Sequence, residues 1–181
     1  LEKMTPGGVY NEGFSYHTDA SHALYPYLLA ELRSGGITID QIDPLLNSWV
    51  ALTMPNWRTP VFEDSLMTTV PADITAFAPL SPNGPQYTWL WDKAQPGTPY
   101  SRPYVPIIFF DPSVAAAEPS GTTQFLGDNY IVFRSDWSED ATYMLVLAQS
   151  APRRLHLQPC QSSFQIYAER AYLAIDPGYG D

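Results

Sequence analysis

The hydrophobic period of this chain changes once, from helical before a proline-rich stretch to alternating after it, and that change limits the folds open to it. In "SYHTDASHALYPYLLAELRSGG", Tyr16, Ala20, Ala23, Leu24, Tyr27, Leu28 and Leu32 fall near one helical face. Ser15, Thr18 or Ser21 can cap this helix, and Gly35 or Gly36 stops it. Pro26 either kinks the helix or opens a second one, because its ring removes a backbone hydrogen bond. A second helix is expected in "DPLLNSWVALTM", with Asp43 as cap, Pro44 in the first helical position, and Leu45, Leu46, Trp49, Val50 and Leu52 on the apolar side. A proline-rich run of turn formers follows, and "YTWLWDKA" then offers a short helix.

Prolines crowd the stretch from Pro96 to Gly121, which reads as a connection between two architectures. Beyond it, "TTQFL", "YIVFRS", "TYMLVLAQS", "SFQIYA" and "AYLAID" read as antiparallel strands separated by turn residues. The organisation expected is therefore α+β, with a helical part over 1–95, a connection over 96–121 and strands over 122–181. Neither set closes a core by itself, so the chain is expected to be a portion of a larger protein.

The 19 acidic residues outnumber the 9 basic ones, for a formal charge of -10, which argues against a nucleic-acid partner and an anionic membrane surface. Local placement can still favour an anionic ligand, and Arg58, Arg102, Arg134, Arg153 and Arg154 are available to line a cleft. One cysteine makes no internal disulfide, and no apolar run reaches the ~20 residues of a membrane span. The opening residues carry no export signal.

Three segments carry candidate chemistry. In "GGVYNEGFSYHTD", Tyr10, Glu12, Tyr16 and His17 cluster around a glycine that permits a sharp entry into a helix. A tyrosine there serves as a general acid or base if a neighbouring cation lowers its pKa, and otherwise is a core aromatic with its hydroxyl at the rim. Glu63 and Asp64 in "RTPVFEDS" suit either a helix cap or acid/base work. In "RRLHLQPCQSSFQIYA", His156, Gln158 and Cys160 share a strand face if Pro159 does not break the strand. Zinc prefers four N or S donors, so this set is a weak metal site, and Cys160 reads first as a buried, inert thiol.

Taken together, "GVYNEGFSYH" and "PVFEDS" resemble the later toroid helices of the heparinase II/III-like polysaccharide lyases. "YIVFRSDWSEDATYMLVL", "HLQPCQSSFQIYA" and "LAIDPGYG" resemble the start of the β-sandwich that follows the toroid in that family. The resemblance covers most of residues 8–70 and 128–181. It implies a partial (α/α) toroid followed by the opening strands of an antiparallel β-sandwich, with an active site between them.

Such enzymes cleave uronic-acid polysaccharides, heparan sulfate, heparin or alginate among them, by β-elimination, using an Asn or His, a Tyr and a sandwich His. Tyr16 matches the toroid tyrosine and His156 the sandwich histidine, while Glu12 or His17 would orient Tyr16. Tyr10, Trp57, Arg58, Arg134 and Arg154 are the expected substrate contacts. The family pattern His-x-His-x-Asp-x-x-Ser-Phe is met here by His156, Gln158, Cys160, Ser163 and Phe164, so the divalent metal of the family is expected to be lost or weakened. Arg170 replaces a usual hairpin glycine and suggests a different turn. The family's upstream Asn/His segment would precede Leu1, so the rest of the toroid is an expected partner, and the substrate class implies a periplasmic or secreted location. Two other readings follow from the same residues: a non-catalytic glycan binder using Trp57, Trp89, Trp91 and Trp137, and a toroid glycoside hydrolase using Glu12 or the Glu63 and Asp64 pair.

Overall fold

The structure, a computed structural model, describes residues 5–10, 13–62, 65–67, 70–94, 108–148 and 162–176. Glu12, Glu63, Asp64, Arg102, Arg153, Arg154, His156, Gln158 and Cys160 lie outside the described residues.

Helix α1, Phe14–Ser34, runs unbroken through Pro26 and ends at Gly35, whose φ of 80° lets its N–H turn back to Glu31 and Leu32. Its buried stripe is Phe14, His17, Ser21, Tyr25 and Leu28. The face expected through Tyr16 and Tyr27 is therefore rotated, and Tyr27 is 60% exposed. None of the expected hydroxyls caps it. Gly13 occupies the cap position, and the Phe14 N–H donates instead to Ser65 Oγ at 2.6 Å.

Helix α2, Ile39–Leu52, begins earlier than expected. Thr38 and Gln41 form a capping box, with the Thr38 N–H donating to Gln41 Oε1 at 2.7 Å, so the helix starts there and Pro44 falls inside it. Asp43 is consequently a cross-link. It accepts from Ser81 Oγ at 2.9 Å and from Asn83 Nδ2 at 3.2 Å, tying α2 to the start of helix α3, Gly84–Ala94. Between α2 and α3 the proline-rich run contains a 3-10 helix, Ala72–Leu80, which buries Ile74, Ala76 and Phe77. Gly84 lies flush against the Ala78 carbonyl, leaving no room for a Cβ.

Strands β1 (Thr123–Leu126), β2 (Tyr130–Arg134), β3 (Tyr143–Leu147), β4 (Phe164–Ala168) and β5 (Ala171–Ala174) form one antiparallel sheet in sequence order. The register aligns alternate residues into rows across the sheet. On the inner face one row runs Gln124, Val132, Leu145, Gln165 and another runs Arg134, Tyr143, Tyr167, Tyr172. On the outer face Phe125, Ile131, Val146 and Phe164 form a row, and Phe125 and Phe164 are 70% and 49% exposed.

Two apolar clusters hold the molecule together. One packs Tyr25, Leu29, Leu46, Trp49, Phe77, Tyr87 and Leu90 among the helices, with Trp137 joining from the β2–β3 connection. The other brings Phe14, Ala51, Leu52, Met54 and Phe62 against Tyr130, Val132, Tyr143, Leu145 and Leu147 of the sheet.

Candidate active site at the start of the first helix

The entry to α1 is clasped on both sides. Besides the Phe14 to Ser65 bond, the Leu66 N–H donates to Ser15 Oγ at 2.8 Å, so residues 65–67 run alongside the first turn. Tyr16 follows immediately and is half-buried.

His17 turns into the core and its two nitrogens are both used. The Tyr10 backbone N–H donates to Nδ1 at 3.2 Å, which fixes the neutral tautomer with its proton on Nε2. Nε2 then stands 3.1 Å from Ser48 Oγ, whose own hydroxyl donates to the Leu45 carbonyl at 2.7 Å. The ring stacks on Trp49 at 4.2 Å, and complete burial pulls its pKa down to about 3. His17 is thus a neutral brace that pins the Tyr10 loop to α2, and the expectation that it orients Tyr16 gives way to that role. The half-buried Tyr10 joins this brace through its backbone N–H.

Across residues 65–67 the site meets the sheet. The Tyr172 hydroxyl on β5 accepts from Asn56 Nδ2 at 3.1 Å and lies 3.3 Å from Met67 Sδ. Burial raises the Tyr172 pKa first, while the Asn56 hydrogen bond and the charge of Arg58 act in the opposite direction. Arg58 is exposed and close enough to Tyr172 for that charge to be felt. Tyr172 was not singled out from the sequence. The only available signal was its place in the alternation of "AYLAID", because its proximity to Asn56 and Met67 is set by contacts 116 and 105 residues apart.

Gln165 supports the same region from β4. Its Oε1 accepts the Val61 N–H at 3.1 Å and its Nε2 donates to Met54 Sδ at 3.4 Å, both fully inside the protein.

Arg134, expected as a substrate contact, is structural. It is 8% exposed, and its guanidinium donates to the carbonyls of Ala51 at 2.7 Å and Thr53 at 3.1 Å. These are carbonyls at the C-terminal end of α2, where a cation is favoured by the helix dipole. The Tyr143 hydroxyl donates to the intervening Leu52 carbonyl at 3.1 Å. The guanidinium also lies 3.5 Å over the Trp137 ring, and burial lowers its pKa to about 10 without discharging it at neutral pH.

Three of the four candidate tryptophans, Trp57, Trp89 and Trp137, are likewise committed, while Trp91 is half-buried on α3. Trp89 meets Trp57 and Trp137 edge to face, both at 5.6 Å, and Trp89 and Trp137 are 6% and 5% exposed. Trp57 is half-buried and donates from Nε1 to Glu139 Oε1 at 3.2 Å. Buried edges offer no platform for a sugar, so Trp89 and Trp137 serve as joints between helices and sheet. Among the described residues no group of three or more His, Cys, Asp or Glu could hold a metal. Gln158 and Cys160 lie outside them.

No family model and no curated protein sequence matches the chain. Solved structures do. The heparan sulfate lyase HepC from Pedobacter heparinus is similar over 98% of this chain and 26% of its own, with a TM-score of 0.63 and 17% identity. The heparinase III BT4657 gene product is similar over 99% of this chain and 27% of its own, with a TM-score of 0.63 and 20% identity. A heparinase III structure covers 98% of this chain and 28% of its own, with a TM-score of 0.68 and 16% identity. The chain therefore has a heparinase II/III-like fold, helices followed by an antiparallel sheet, and spans about a quarter of the length of the structures it matches.

Proposed function

We propose that this chain is a portion of a polysaccharide lyase that cleaves a uronic-acid polymer, such as heparan sulfate, heparin or alginate, by β-elimination. The observation that carries this reading is Tyr16 on a clasped helix start, with the first turn linked through Leu66 and Met67 to the sheet residue Tyr172. The likeness of the fold to heparan sulfate lyases supports it.

In the reaction, a base removes the C5 proton of the uronate and the electron pair left behind forms the C4=C5 double bond. The C4–O4 bond breaks, and the departing O4 takes a proton. Tyr16 is assigned the proton transfer. His156 assists at the carboxylate or shares the proton, Glu12 is the remaining candidate to orient Tyr16, and Arg58 and Arg154 attract the polyanion against the net charge of -10. The remaining part of the toroid completes the cleft, and a uronate polymer as substrate fits a periplasmic or secreted location. No helix among the described residues is long and apolar enough to cross a membrane.

The test is ultraviolet absorbance over time on mixing the protein with heparan sulfate, heparin, chondroitin, hyaluronan and alginate in turn. A rise with one polymer that disappears in Tyr16→Phe, while that polymer still binds, is the expected result. Full turnover by the Tyr16→Phe protein would remove Tyr16 from the mechanism.

A further inference from the structure

A cavity of about 310 Å³ opens between α2, the start of α3 and the edge strand β1, and shares no residue with the Tyr16 region. Its size sits at the low end of the ~300–1,000 Å³ range of small-molecule sites, which suits a single ring with its substituents. The polar lining is four carboxamides, Asn47, Asn83, Gln86 and Gln124, with no charged side chain, and Val50 and Phe125 are among the apolar walls.

Each carboxamide presents two donor hydrogens beside an acceptor oxygen, the mixture that hydroxyl and N-acetyl groups of a sugar require. Two of the four are held in place. Asn47 Oδ1 lies 2.9 Å from the Tyr87 hydroxyl, and Asn83 donates through Nδ2 to Asp43 Oδ2 at 3.2 Å. Gln124 Oε1 is the reverse case, buried with no hydrogen-bond partner. A buried acceptor left unsatisfied in the free protein is matched by a ligand that brings a donor.

We propose that this cavity binds an uncharged pyranose unit bearing hydroxyl or N-acetyl groups and no sulfate or carboxylate. This goes beyond the elimination chemistry proposed for Tyr16 and does not depend on it.

Saturation-transfer NMR on the full chain tests it, with methyl N-acetylglucosaminide as the neutral probe and methyl glucuronide as the charged control. The expected result is transfer to the neutral probe with a Kd on the order of millimolar. In Gln124→Met the affinity falls about tenfold, the loss of one hydrogen bond, while the denaturation midpoint stays at or above that of the parent because Oε1 has no partner to lose. Gln86→Ala, at a half-buried position, weakens binding independently of any folding defect at Gln124. Absent transfer to the neutral probe, equal binding of the glucuronide, or undiminished binding in both variants would overturn the proposal. Tyr16→Phe should bind the neutral probe as the parent does, so failure here and failure of the lyase reading are read separately.

Discussion

A histidine beside a tyrosine invites a catalytic reading, but hydrogen bonding and burial assign His17 a different task. Its Nδ1 accepts from Tyr10, its Nε2 meets Ser48, and its ring lies on Trp49, so protonation would place an unpaired charge inside the core. The folded pKa of about 3 lies below the ordinary imidazole value of 6.5, so the neutral form is the one the fold favours. The stabilisation from His17 is therefore complete above pH 6.5 and is lost as pH falls toward 3. Two pH units below the unfolded pKa correspond to about 2.7 kcal/mol, so denaturant titrations at pH 7 and pH 4.5 should differ by roughly that amount on account of this residue. His17→Asn should be less stable than the parent at pH 7, through the lost stacking, and should lack that part of the acid sensitivity. An unchanged pH slope in the variant would mean that His17 is not held neutral.

At the scale of elements, the end of α2 shows how a sheet residue can finish a helix. Arg134 and Tyr143 are neighbours on β2 and β3, and together they satisfy the carbonyls of Ala51, Leu52 and Thr53. Arg134→Met removes the donor from two carbonyls and the cation from the Trp137 face, and should cost about 2–4 kcal/mol in denaturation without altering the fold. A loss under 1 kcal/mol would show that water replaces the guanidinium there. The β4–β5 hairpin is strained in a different way. Glu169 and Arg170 have φ of 51° and 60°, the left-handed region that glycine favours, so the arginine has not moved the backbone out of that region. Arg170 is ion-paired to Asp140 at 2.6 Å and lies 3.7 Å from Glu139. Glu169→Gly should raise stability by up to about 1 kcal/mol, whereas Arg170→Gly should gain less because it gives up those partners. Equal gains from both would show the ion pairs to be idle.

Over the whole molecule, what was legible in the sequence is what depends on neighbours in the chain. Among the described residues the five strands and the three α-helices follow from period and turn residues. The 3-10 helix is hidden because Pro71 at its cap and Pro79 near its end read as turns, and the start of α2 is obscured because Asp43–Pro44 looks like a cap while Thr38 and Gln41 already form one. Arg134 is legible as a residue type but not as a role, since its burial against the end of α2 is decided by contacts 83 and 81 residues away, and Trp89 and Trp137 meet each other only across the change of architecture. Those same long-range contacts make the helices and the sheet interdependent. The inner face of the sheet shares its apolar cluster with Phe14, Ala51, Leu52, Met54 and Phe62, and Trp137 joins the helical cluster, so each cluster draws on both halves. A cavity in the sheet should therefore be felt in the helices. Leu145, fully buried at the centre of β3, is the position to test, because Leu145→Ala should cost about 2–5 kcal/mol. Native-state hydrogen exchange should show the most protected amides of α2 and β3 opening with one free energy, and Leu145→Ala should lower both by the same amount. Lowering confined to the strands would show that the helices stand alone, and the shared cluster would then be a contact between two folding units.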